Sequence, residues 1–121
     1  MTQGSPAHPI TITDNPHRVR VVLGGFIVAE TTRAKTLRES SLPPVQYIPR
    51  EDAQMDLFER TDHRTHCPYK GDASYFTLTA GGLVRRNAVW SYESPFPAVA
   101  AIAGHLAFYP NQVDAIEEFA E

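Results

Sequence analysis

The sequence predicts a mainly β, antiparallel domain with one or two short helices as accessories. Three observations carry that prediction. Ten prolines interrupt the 121 residues and leave long proline-free windows at 17–42, 50–67 and 69–94, where regular structure can form. Two of these windows hold the same order, a strand-like run, a Gly-Gly pair and a second strand-like run. Nowhere do strands and helices alternate at βαβ spacing.

The elements follow in chain order. Residues 1–9 read as a flexible N-terminal tail and 10–121 as a single domain. Val19, Val21 and Leu23 alternate with Arg18, Arg20 and Val22, a period of two that suits a half-buried strand. Gly24-Gly25 then turns the chain into Phe26–Thr31, which makes a hairpin. Thr36 to Ser40 extends as a further strand, Leu42-Pro43-Pro44 breaks it, and Val45–Ile48 resumes it. Arg50 to Arg60 reads as one short helix, with Ala53 and Leu57 on one face and acids near its start. Thr61 to His66 is polar and turn-like. Ala73–Thr79 and Leu83–Tyr92 flank Ala80-Gly81-Gly82 and form the second hairpin, with Tyr75 and Phe76 facing opposite ways. In its second arm Ala88, Trp90 and Tyr92 are expected on one face. Ala98–Ala103 is a helical turn or a buried run, and Leu106–Tyr109 looks like a last strand. Val113–Phe119 reads as a terminal helix capped by Asn111.

Composition bounds the function. A chain of 121 residues has room for one core, and 42% hydrophobic with 21% charged residues is ordinary for a globular domain. A single cysteine forms no internal disulfide and no thiolate-rich zinc site. No apolar run reaches the roughly 20 residues a membrane helix needs, and no signal peptide is visible, so a cytoplasmic domain is expected. A net charge of −3 and a pI near 5.9 argue against general nucleic-acid binding.

Reactive side chains are densest from Thr61 to Asp72, which holds His63, His66, Cys67 and Lys70. A thiolate at Cys67 is a nucleophile that cationic neighbours such as Lys70 or Arg64 would favour; the other reading is a small hydrophobe packed under the sheet. His63, His66 and Cys67 lack the spacing of a zinc set, so no metal and no cofactor is expected. Lys70-Gly71 lacks the G-x-x-x-x-G-K-[ST] pattern of a phosphate loop, and Gly24-Gly25 lacks a G-x-G-x-x-G context. Asp52 and Asp56 share a face of the expected helix. Tyr47, Tyr69, Tyr75, Trp90, Tyr92 and Tyr109 make a second constellation, either core aromatics or the wall of a pocket.

Several strings together resemble a known family. Tyr47-Ile48-Pro49-Arg50-Glu51-Asp52, the T-x-C-P-Y-K-G string at Thr65–Gly71 with Asp72–Tyr75 after it, the W-x-Y string inside Asn87–Glu93, and Ala107-Phe108-Tyr109 are similar to the DUF427 family. The signature positions carried over are Tyr47, Pro49, Asp52, Thr65, Cys67, Pro68, Lys70, Gly71, Tyr75, Trp90, Tyr92, Phe108 and Tyr109. His105 stands where the family more often has tyrosine. The resemblance implies a β-tent (Mss4-like) fold, two small antiparallel sheets meeting at an angle with a cleft between. Relatives of that architecture hold zinc with two C-x-x-C pairs, which this sequence lacks. The family has been labelled a nucleotidyltransferase, yet no D-x-D pair of aspartates is present.

The leading expectation is therefore a domain that binds a small polar or nucleotide-like molecule in an aromatic cleft. Tyr47, Trp90 and Tyr92 would wall it, with Arg50, Thr65, Tyr69, Lys70 and Tyr109 contributing contacts. The alternatives are an enzyme using Cys67, Lys70 and Asp52 in the same cleft, and an interaction module forming a homodimer through a strand edge.

Overall fold

The computed structural model describes residues 2–5 and 8–120. Its eleven described strands lie in three antiparallel sheets. β1 (Thr2–Ser5), β2 (His8–Asn15), β5 (Ala34–Glu39) and β6 (Val45–Tyr47) form the first sheet, in the order β1-β2-β5-β6. The second runs β10-β9-β8-β7, from β10 (Ala107–Phe108), β9 (Leu83–Ser91), β8 (Gly71–Ala80) and β7 (Phe58–Cys67). The third is β11-β3-β4, from β11 (Ala115–Phe119), β3 (Arg18–Leu23) and β4 (Phe26–Thr31). The mainly β class is as expected, but there are three sheets rather than two. Of the segment 1–9 expected as a tail, Met1, Pro6 and Ala7 lie outside the described residues, while Thr2–Ser5 pairs with His8–Thr11.

The second sheet is the middle layer, because β8 and β9 alternate apolar residues on both faces. Phe76, Leu78 and Val89 face one core with Val19, Val21, Leu23 and Val28 of the third sheet. Ala73, Tyr75 and Tyr92 face the other with Ile10, Leu37 and Tyr47 of the first, and Val99 and Ile102 close it. Tyr75 and Phe76 thus point opposite ways, as the period of two requires. Ala88 leaves the face expected for it and joins Val89 in the first core. The cause is local: Asn87 adopts φ 51° beside a register shift between Phe76 and Leu78, and the bulge resets the alternation.

Both predicted hairpins form, and their glycine turns meet. A Cβ on Gly81 would lie 2.1 Å from the Gly24 carbonyl oxygen, and one on Gly24 would lie 2.5 Å from that of Ala80. Gly24 and Gly81 have φ of +61° and +58°, so two glycines let the third sheet close against the second at its tip.

Three segments depart from expectation. The helix expected over Arg50 to Arg60 is two 3₁₀ turns, Arg50–Asp52 and Met55–Leu57, followed directly by β7. Ala53, Met55 and Leu57 all pack on the first core, a period of two that a helix would split between opposite faces. Ala53 bridges Ala29, and the Gln54 N–H donates to the Val28 carbonyl at 2.9 Å. The stretch expected as a turn, Thr61 to His66, lies inside β7, the outer edge of its sheet. Its polarity is that of an edge strand facing water. Thr61 to His63 bulge out between the paired residues Arg60 and Arg64, and the Thr61 hydroxyl donates to Asn87 Oδ1 at 2.7 Å. The expected terminal helix is β11. A helix of seven residues is marginal alone, whereas the open edge of β3 offers a ladder, with Ile116 opposite Val21 and Phe119 opposite Arg18. The Phe119 ring lies 4.9 Å beneath the Arg20 guanidinium. Among the described residues the only helical elements are short 3₁₀ turns, and no helix is long and apolar enough to cross a membrane.

Candidate functional site

The site residues on the second core's side of the middle sheet are brought together by strand alternation. Trp90 on β9 stands opposite Tyr75 on β8 and Ala107 on β10, and Tyr92 follows two residues on. The Trp90 indole N–H donates to Tyr47 Oη at 3.2 Å, and its ring lies 4.5 Å from that of Tyr109. Hydroxyls run outward from there, with Tyr109 Oη 3.3 Å from Tyr75 Oη and Tyr75 Oη 2.9 Å from Thr65 Oγ1. The His63 ring sits 4.5 Å from Tyr75, edge to face. Burial raises the phenols of Tyr47 and Tyr92 well above the ordinary range. Burial, and then the hydrogen bond to Tyr75, push Tyr109 up to about 12. These phenols are neutral hydrogen-bonding groups at physiological pH.

Lys70 lies on the same side and is tied down. The positive φ of Gly71 (+113°) turns the chain into β8 and leaves Lys70 buried. Its ammonium donates to Glu39 Oε1 and stands 5.7 Å over the Tyr92 ring. Glu39 Oε2 lies 2.6 Å from His8 Nε2, and the His8 ring stacks on Tyr69 at 4.2 Å. Burial raises the Glu39 carboxyl, but the hydrogen bonds from His8 and Lys70 outweigh it and hold the group below its ordinary value. Lys70 therefore carries a charge already answered by an internal carboxylate. Cys67 is half-buried and packs against the second core.

Arg50 and Asp52 lie elsewhere. Arg50 packs its guanidinium 5.4 Å from the Phe76 ring, in the first core, and pairs with Glu93 at 3.1 Å. Asp52 accepts from Thr31 Oγ1 at 2.7 Å and from Arg33 at 3.1 Å. Neither is bonded to Cys67 or Lys70, so the expected set of Cys67, Lys70 and Asp52 is not assembled as one hydrogen-bonded group. His66 pairs outward with Asp72 at 2.7 Å. Among the described residues no three His, Cys, Asp or Glu side chains converge as metal ligands.

Beside this cluster lies a groove of about 680 Å³ that Trp90 also lines. Its walls come from all three sheets: Val45 and Gln46 from the first, with Ile48 just after β6, Trp90 and Phe108 from the second, and Val21, Ala115 and Ile116 from the third. Each sheet presents an edge strand here, β6, β10 and β11. Reciprocal backbone hydrogen bonds of 2.8 Å between Ile48 and Leu106 join the first two sheets at its side. Leu42, Pro43, Pro44 and Pro110 form a rim, and Leu42 is 58% exposed. Of these residues the sequence singles out Trp90 and, through the family resemblance, Phe108, but not the rest. Pro43-Pro44 read only as a strand break, and β11 read as a helix, so nothing local linked them to Trp90. His8 and Glu39, 31 residues apart, likewise carried no local signal.

Fold and site together define a mainly β domain with an apolar groove where three sheet edges converge, beside a neutral aromatic and hydroxyl cluster. The chain belongs to the DUF427 family: the family model, described as a domain of unknown function, matches residues 11–118. No curated protein matches it.

Proposed function

We propose that this domain binds a small, largely apolar organic molecule in the three-sheet groove, with Trp90 as its aromatic wall. The observation that carries the reading is the groove itself. Its volume of about 680 Å³ falls inside the range of roughly 300–1,000 Å³ typical of small-molecule sites, and its lining is apolar with few polar groups. The polar and nucleotide-like character expected of the ligand has less support. Lys70 and Arg50, the cations expected to hold it, are paired with Glu39 and Glu93 and do not line the groove. The β-tent (Mss4-like) architecture carried by the family resemblance belongs to the same proposal, since it too places a cleft between sheets.

Trp90 is the single tryptophan of the chain, so its emission reports the groove directly. Titration with a set of small aromatic compounds is expected to shift that emission and to raise the melting temperature of the wild type but not of Trp90→Ala. Methyl NMR signals of Val45, Ile48 and Ile116 are expected to move with the same ligands. Compounds that stabilise both proteins equally and leave those methyls unmoved would place binding elsewhere and end the proposal.

A further inference from the structure

Resting on the groove reading above, we infer that the ligand is an apolar cation, an aromatic or aliphatic body carrying a protonated amine, and not an anion. The charge pattern of the lining points there. Among the described residues around the groove, Asp114 is the one that carries a charge, and no lysine, arginine or histidine accompanies it. Asp114 sits just before β11, and its Oδ2 accepts the Gly24 N–H at 2.8 Å. That bond holds Oδ2 beside the Gly24 turn, and among the described residues no further side-chain hydrogen bond or ion pair falls on the exposed carboxylate. A backbone amide answers only part of a full negative charge. Trp90 is a second lining residue of the right chemistry, since an indole ring attracts a cation set over its face. Gln46 also lines the groove, but its Oε1 already accepts from Asn15 at 3.0 Å and from Thr36 at 2.9 Å, so its carbonyl is committed to the first sheet and the cation preference rests on Asp114 and Trp90.

An anionic ligand meets the opposite field. A phosphate or carboxylate seated among Val45, Ile48 and Phe108 would lose water without gaining a cation, and would lie near Asp114. Nucleotides are the least suited class by this chemistry.

The test uses three probes with one phenylbutyl body: phenylbutylamine, phenylbutanol and phenylbutyrate, each titrated against the full chain by Trp90 emission. At low ionic strength the amine is expected to bind about fivefold more tightly than the alcohol, and the acid more weakly than both, as expected for one partly solvated charge pair. Asp114→Asn keeps an oxygen for the Gly24 N–H and is expected to weaken the amine about fivefold while leaving the alcohol unchanged. Added salt is expected to narrow the amine's advantage in the wild type, a measurement that needs no variant. Equal binding of amine and alcohol overturns the inference and leaves the groove reading intact, as does an advantage untouched by both salt and Asp114→Asn. Failure of all three probes to shift Trp90 emission overturns both.

Discussion

Glu93 follows the strand that carries Trp90 and clamps its end, and replacing it tests how that end is held. Its carboxylate takes two hydrogen bonds from Arg60, both at 2.7 Å, and lies 3.1 Å from Arg50. The two guanidiniums stand 5.0 and 5.4 Å from the Phe76 ring, so one carboxylate ties β7 and the Arg50–Asp52 turn to the core. The Arg60 hydrogen bonds, opposed by burial and helped by Ser74 and by both arginine charges, hold the Glu93 carboxyl at about 2 against an ordinary 4.5. A depression of that size corresponds nominally to roughly 3 kcal/mol. The carboxylate is 31% exposed and the Arg60 side chain 47%, so solvent screening reduces the expected contribution to about 1–2 kcal/mol. Because folding lowers this carboxyl, its stabilisation is complete above the unfolded value near 4.5 and is lost as pH falls toward 2. Glu93→Gln is therefore expected to lose about 1–2 kcal/mol at neutral pH, with the gap to wild type closing between those two values. Urea denaturation of both proteins across that range measures it. No gap at neutral pH, or a gap that persists at the acid end, would refute the clamp.

Two further comparisons of variants test how the layers are held. Lys70→Met leaves Glu39 with His8 alone in a largely buried setting and is expected to cost about 3 kcal/mol in urea denaturation, while Lys70→Met with Glu39→Gln costs less than the single change. A double variant as unstable as the sum of the singles would show that the pair is not coupled. Gly81→Ala pushes a methyl to 2.1 Å from a backbone oxygen and is expected to cost more than about 2 kcal/mol, whereas Gly82→Ala, with φ +78° but open space around it, costs about 1 kcal/mol. Equal melting temperatures for these two variants would mean that the hairpin tips do not bear on each other.

What was legible in the sequence was what short-range chemistry controls. The hairpins Val19–Thr31 and Ala73–Tyr92 announce themselves through Gly-Gly turns between runs of period two, because a tight turn and a pleat are decided within a few residues. The segments Arg50 to Arg60 and Val113 to Phe119 were misread for the converse reason. Each carries an apolar pattern too short to separate helix from strand, and each was settled by a neighbour far away in sequence, the β4 backbone for Ala53 and the β3 edge for β11. The aromatic cluster was likewise visible, since Trp90 and Tyr92 share a face by alternation alone. The partners that neutralise Lys70 and remove Arg50 and Asp52 from it were not, because ion pairs form between whichever side chains the sheets bring together.

By itself, then, the sequence determined the mainly β class, the two central hairpins, the family, and an aromatic face centred on Trp90. Only the tertiary structure decided that there are three sheets, that β6, β10 and β11 bring their edges to one groove, and that the charge standing at that groove is Asp114. The division is physical. Turns and alternation are local properties of the chain, while an edge-to-edge junction and the sign of the charge left at it exist only once residues as distant as Val21, Val45 and Ile116 share one wall.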